Sequence, residues 1–205
     1  MQKAFSLCIA VVAVLMASLA SHGAQSADSP LIGYLTTHTA WVGRYQEALA
    51  ELGYVDGRNI TLIWRGGDQN FDELPKHARE LVDLHVRLIL VDSTLSALAA
   101  KGATSTIPIV LSHVADPVGF GLAASLAHPG GNITGVTLMS VEITAKRMEI
   151  LKETVPKRSR VAVFWNPTNP IGKVQVEDAV MAANRLGLKM QRIPTRKPED
   201  LANAF

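Results

Sequence analysis

Beyond residue 30 the chain alternates between short apolar runs and longer segments in which apolar residues recur every three or four positions. A run of four to six apolar residues bounded by turn residues fits a strand buried on both faces of a parallel sheet, and a 3.6-residue period fits an amphipathic helix. The pattern predicts strands at 31–35, 60–64, 86–91, 107–111 and 133–138, and helices at 41–52, 71–85 and 95–103. In the first helix Tyr45, Ala48, Leu49 and Leu52 fall at i, i+3, i+4 and i+7, with Arg44, Glu47 and Glu51 on the polar side. Gly53 is placed to end that helix in the left-handed conformation. In the second helix Leu74, Ala78, Leu81 and Val82 form the inward stripe, and Pro75 is tolerated in the first turn. A short helical stretch at 121–127 and the turn Pro129-Gly130-Gly131-Asn132 separate the fourth strand from the fifth.

Strand–helix units joined by short connections imply right-handed crossovers and an α/β fold, a doubly wound parallel sheet in a Rossmann-like lobe. After a crossover at 139–142 the pattern begins again, with a helix at 143–155, a strand at 159–165, a helix at 173–186 and a strand at 188–193. A last helix opens at Pro198-Glu199-Asp200 and runs to the end of the chain. The organisation expected is a leader at 1–27, a first lobe at 28–138 and an incomplete, truncated second Rossmann-like lobe at 139–205.

In an open α/β sheet ligands bind outside the carboxyl ends of the strands, at the topological switch point. With strands ordered 2-1-3-4-5, the loops after the first, third and fourth strands converge, and they carry Thr36, Thr37, Ser93, Thr94, Ser112, His113 and Asp116. Ser93 and Thr94 precede a helix, where hydroxyls and free N–H groups suit a carboxylate and equally suit plain N-capping. Asp116-Pro117 reads as a turn, with His113 as part of a pocket wall. Trp41 opens the first helix beside the 36–39 loop, placed either to stack on a ligand or to pack half-buried. Asn166 and Asn169 lie at the matching edge of the second unit, between prolines that stiffen the loop; capping of the following helix is their competing use. Trp64 and Trp165 close strands and read as core.

The first residues change the picture. Lys3 followed by a mostly apolar stretch at 7–19 and small-residue sites at Ser18-Leu19-Ala20 and Ala24-Gln25-Ser26 reads as a cleaved secretory signal. The apolar run is shorter than the ~20 residues that span a bilayer. Cys8 is the single cysteine of the 205 residues and falls in that leader, so disulfides and thiol catalysis drop out of the mature chain. The formal net charge of +2 falls by one with Lys3, and no basic run interleaved with aromatics occurs, which argues against nucleic acid as a partner.

Enzymatic motifs fare poorly. Ser112, His113 and Asp116 are too close in one loop to meet triad geometry, and no G-x-S-x-G elbow is present. His113 and Asp116 are too few for a metal site, and no metal or other cofactor is expected. Gly119-Phe120-Gly121-Leu122-Ala123-Ala124 matches G-x-G-x-x-A by letter, but it does not follow its strand directly and the next strand lacks the acidic residue. Asn59-Ile60-Thr61 and Asn132-Ile133-Thr134 fit a glycosylation sequon and read as turn chemistry at strand starts.

Several stretches, in order, carry a resemblance. They are Ile32-Gly33-Tyr34-Leu35; Leu52-Gly53-Tyr54-Val55-Asp56-Gly57-Arg58-Asn59; Ile107-Pro108-Ile109-Val110; Asp116-Pro117-Val118; Pro129-Gly130-Gly131-Asn132-Ile133-Thr134-Gly135-Val136; and Asn166-Pro167. The chain resembles the periplasmic substrate-binding proteins of ABC importers, in the branch associated with tryptophan and other aromatic amino acids. The resemblance implies two Rossmann-like lobes closing on a small ligand in the inter-lobe cleft, no catalysis, a periplasmic location and an ABC permease in the inner membrane as partner. It implies no stable membrane insertion once the signal is removed. An α/β enzyme acting on a small molecule, and an inactive truncated product, are the competing readings.

Overall fold

The computed structural model describes residues 29–67, 70–141 and 143–202. The expected leader at 1–27, with Lys3 and Cys8, and residues 203–205 of the last predicted helix lie outside them. The chain divides into two compact units at Leu138/Met139.

The first unit is a five-stranded, wholly parallel sheet. Its strands are β1 (Leu31–Thr36), β2 (Thr61–Gly66), β3 (Leu88–Val91), β4 (Ile109–Val114) and β5 (Ile133–Thr137), in the order β2-β1-β3-β4-β5. Between them run α1 (Ala40–Glu51), α2 (Leu74–Asp83), preceded by a 3-10 turn at Phe71–Glu73, and α3 (Thr94–Ala103). The 3-10 turn takes up residues that periodicity alone assigned to the helix, which starts properly one residue before Pro75.

Strand alternation sorts the core into two layers. Ile32, Tyr34, Leu62, Leu88, Leu90 and Val110 pack under α1 through Val42, Tyr45 and Leu49. Leu35, Ile89, Val91, Ile109 and Leu111 pack against Leu74, Ala78 and Leu81 of α2 and Ala97 and Ala100 of α3. β3 is buried at all four positions, as a central strand covered on both faces must be.

Two expectations fail here. The stretch at 121–127 is not a helix. It is a run of turns in which Leu122 N–H donates to Pro117 O at 2.7 Å and Ala124 N–H to Pro129 O at 2.8 Å. Gly121, at φ +66°, turns the chain the wrong way for a helix, and Lys101 of α3 donates to its carbonyl. β4 also runs past Leu111. It pairs Leu111 with Gly135 and then Val114 with Thr137, so Ser112 and His113 together oppose the single residue Val136. That two-against-one count is a β-bulge, which a hydrophobic pattern ending at Leu111 cannot reveal. Gly135, at φ +139°, lets the strands approach so closely there that a Cβ would lie 2.8 Å from Leu111 Cα and closer still to its N and O.

The second unit contains α4 (Thr144–Thr154), β6 (Arg160–Trp165), α5 (Pro170–Arg185), β7 (Lys189–Pro194) and the short α6 (Pro198–Ala202). β6 and β7 pair in parallel, with Val161 opposite Met190. Those two residues pack with Met148 and Leu151 of α4 and Ala179, Ala182 and Ala183 of α5. Among the described residues no helix is long and apolar enough to cross a membrane.

Candidate functional site

Side chains two apart on a strand share a face. Tyr34, Leu90 and Val110 lie in the layer under α1, and two residues further on stand Thr36, Asp92 and Ser112. The last fully paired row is Leu35–Val91–Leu111, so these three polar residues stand side by side one step beyond it, at the carboxyl edge of β1, β3 and β4. The elements that build the core therefore also align the site.

Asp92 is its hub. Oδ2 accepts from Tyr34 OH at 2.9 Å and from the Thr36 hydroxyl, and Oδ1 accepts from Thr37 N–H at 3.1 Å. Thr36 Oγ1 in turn accepts from His38 N–H at 3.0 Å, which fixes the start of the loop between β1 and α1. Tyr34 is fully buried. Burial first, and then the Asp92 carboxylate, push its phenol far above the ordinary range, so it is a permanent neutral donor. On the other side of β1, Gly66 at φ +96° brings the end of β2 against Thr36 O, which accepts from Gly67 N–H at 3.0 Å.

A second chain of hydroxyls lies beside the first. Tyr45, on α1, donates to Ser112 Oγ, and Ser112 donates to Val91 O at 2.9 Å. The Tyr34 and Tyr45 rings meet at 4.7 Å and 55°. Trp41, one residue inside α1, sits 5.7 Å from the His113 ring at 31°, with the Arg44 guanidinium 5.2 Å from its own ring centroid. The bulge in β4 puts His113 next to Ser112 at this edge. Desolvation holds the His113 imidazole below its ordinary range, and the Asp92 charge opposes that shift.

Ser93 and Thr94 have different tasks, of which only capping was among those the sequence left open. Ser93 is the N-cap of α3, accepting from Ser96 N–H at 3.1 Å while Ser96 Oγ accepts from Ser93 N–H at 3.1 Å, a capping box. Thr94 is only 1% exposed, and its hydroxyl bridges Ala115, donating to the carbonyl at 3.2 Å and accepting from the N–H at 3.1 Å. It points inward, and the expected hydroxyl contact to a ligand is not supported by this geometry. Asp116 serves the turn: at φ +40° its Oδ1 accepts from Gly119 N–H at 2.7 Å.

In the second unit Asn169 is the N-cap of α5, accepting from Ile171 N–H at 3.0 Å, and Asn166 Oδ1 accepts from Thr168 N–H at 2.9 Å and Thr168 Oγ1 at 2.8 Å. Both line a concavity shared with Trp165, Gly172 and Gln175. Trp165 Nε1 is buried there without a partner, so this tryptophan is not the plain core residue expected; Trp64 departs further, at 44% exposed. The asparagines read as sequons do turn work, Asn59 accepting from Val55 N–H at 2.7 Å and Asn132 donating to Ile107 O at 2.7 Å.

The structure thus brings Thr36, Thr37, Trp41, Ser93, Ser112 and His113 to one edge of the first unit. It turns the Thr94 hydroxyl inward, uses Asp116 in a turn and leaves Asn166 and Asn169 in the other unit. Three contributors went unread in the sequence: Asp92, Tyr34 and Tyr45. The tyrosines look like core, which their rings are. Asp92 carried a signal, an acid directly after a four-residue apolar strand and directly before the capping serine. Among the described residues no group of three acidic, histidine or cysteine side chains is arranged to hold a metal.

Hydroxyls, an oriented carboxylate and an aromatic pair thus stand at the carboxyl edge of a parallel sheet, the place where open α/β sheets bind their ligands. A sequence model of the ABC transporter substrate binding protein family matches residues 37–205, and the chain belongs to that family. It is 36% identical over 132 residues to a tyrosine-binding protein of Clostridioides difficile (strain R20291), covering 64% of this chain and 37% of that one. A conserved domain protein of Vibrio cholerae superposes with a TM-score of 0.75 at 26% identity, over 86% of this chain and 61% of that one. An ABC domain from Streptococcus pneumoniae in complex with L-Trp superposes at 0.72 and 24% identity, over 86% and 60%, which speaks to the fold. The chain therefore spans less than two thirds of the length of these relatives, from 37% to 61%.

Proposed function

We propose that this chain binds a free amino acid as the extracytoplasmic solute-binding component of an ABC import system. The observation that carries the reading is the convergence of Thr36, Asp92 and Ser112 beside Trp41 and His113 at the switch point of the sheet. Such an edge offers a ligand hydrogen-bonding groups, the amino end of α3, which favours a carboxylate, and an aromatic surface for an apolar body. The tyrosine-binding relative supports an amino acid as ligand class, and family membership supports binding over catalysis. In this reading residues 1–27 are a cleaved signal, 28–138 are the first lobe and 139–205 are part of a second, in which Asn166 and Asn169 are the polar groups offered to a ligand. An inner-membrane ABC permease is the partner and the periplasm the location.

Isothermal calorimetry of the purified chain with L-tyrosine, L-tryptophan and L-leucine tests this. Saturable binding of at least one, with the ligand recovered unchanged, is expected. A folded protein that binds none, or that converts its ligand, overturns the reading.

A further inference from the structure

Asp92 raises a question that its three hydrogen bonds do not answer. Its partners Tyr34, Thr36 and Thr37 are all buried, and all are neutral donors. Among the described residues every ion pair involves another acid: Glu80 with Arg65 and His77, Glu73 with His77, Glu149 with Lys146. A carboxylate removed partly from water and given no cation is costly, and proteins ordinarily pair it.

Its acceptor capacity is also incomplete. A carboxylate offers about four lone-pair positions. Oδ2 is approached by both Tyr34 and Thr36, whose hydroxyl also reaches His38 O at 3.0 Å, whereas among the described residues Oδ1 accepts only from Thr37 N–H. One position remains on Oδ1, on a carboxylate held by three donors, at a residue that stays partly accessible at the sheet edge. A guanidinium seeks both oxygens of a carboxylate at once, and here Oδ2 is already occupied by the Tyr34 and Thr36 hydroxyls. A compact ammonium needs a single position, which is what Oδ1 retains.

We infer that Asp92 is the acceptor for the ligand's ammonium group, and that through it the site selects amino acids over the corresponding acids that lack the amine. The inference rests on the amino acid reading above and names the residue that enforces it. Tyr34, Thr36 and Thr37 act through Asp92 as positioning residues, aiming Oδ1 and neutralising part of its charge before a ligand arrives.

The test compares L-tyrosine with 3-(4-hydroxyphenyl)propanoate, the same molecule without its amine, by calorimetry on the wild-type chain and on Asp92→Asn. Wild type should bind the amino acid at least tenfold more tightly. Asp92→Asn, checked by its thermal melt, should lose at least tenfold for tyrosine while its affinity for the deaminated acid changes less than twofold. An Asn variant that keeps the wild-type preference, or that loses both ligands equally, overturns the assignment. Should that variant not fold, the wild-type comparison decides, because equal affinity for the two ligands overturns it too. A wild-type chain that binds no amino acid at all removes the parent reading and this one with it. One that binds amino acids without preference over the deaminated acids removes only the role of Asp92.

Discussion

Tyr34 OH lies 2.9 Å from Asp92 Oδ2, donating from β1 across to the end of β3. The phenol is buried and cannot be replaced by water, so its proton is committed to the carboxylate. Tyr34→Phe keeps the ring under α1 and deletes only that donor. A hydrogen bond to a charged group contributes about 1.5–3 kcal/mol, and urea denaturation should show a loss in that range with an unchanged slope. A loss below about 0.5 kcal/mol would mean that Asp92 is satisfied without Tyr34.

His113 gives the protein a pH-dependent stability of known sign. Its folded-state imidazole is held below the ordinary value chiefly by desolvation, with Asp92 pulling the other way. The unfolded chain therefore takes up a proton at a pH where the folded one does not, and stability is lost as pH falls through and below the ordinary histidine range of about 6.5. Denaturation midpoints measured at pH 8, 6.5 and 5 should decline more steeply for wild type than for His113→Asn. Parallel declines would place the titration elsewhere.

Gly135 is required by proximity as well as by conformation. Gly135→Ala would hold a Cβ at φ +139° against the Leu111 backbone and push the β5 edge off the bulge that presents Ser112 and His113. A destabilisation of more than ~1 kcal/mol is expected, since the native conformation is incompatible with the new residue. Amide exchange in β4 should quicken as well, and an unaffected melting curve would contradict the close approach.

The backbone plan was legible because apolar periodicity reports burial, and in this sheet burial decides nearly everything. The seven strands among the described residues follow from it, and the order 2-1-3-4-5 is the one the doubly wound fold class supplies. What failed has a common cause. The bulge at Ser112 and His113, the positive φ at Gly121 and the inward turn of Thr94 all depend on neighbours distant in sequence, namely Val136, Lys101 and Ala115. Asp92 was overlooked for the same reason. In the sequence it is one acid before a serine, and its meaning comes from Tyr34 and Thr36, 58 and 56 residues away.

Trp41 is the aromatic wall of the proposed site. Its ring is tilted 31° to that of His113, lies beneath the Arg44 guanidinium of α1 and is half-buried. Trp41→Ala should weaken tyrosine and tryptophan more than leucine, by about 0.5–1.5 kcal/mol of additional loss, the worth of an aromatic pair beyond its buried area. Titration of the three amino acids against wild type and variant reads this directly. Equal losses would confine Trp41 to packing.

Thr94 separates the contact expected from the sequence from the one the fold provides. A hydroxyl at the start of α3 suggests a carboxylate ligand, yet the Thr94 side chain is buried and bonded on both sides to Ala115, which joins the amino end of α3 to the segment leaving β4. Thr94→Val preserves shape and helix start and strips both bonds, leaving a buried N–H and a buried C=O without that partner. The cost of such a loss is about 1–3 kcal/mol. The midpoint of urea unfolding should fall accordingly. The amino acid affinity of the folded fraction should stay within twofold of wild type, because the hydroxyl faces Ala115 rather than the sheet edge. A variant of wild-type stability whose affinity drops tenfold would return Thr94 to the ligand and require its side chain to turn outward on binding.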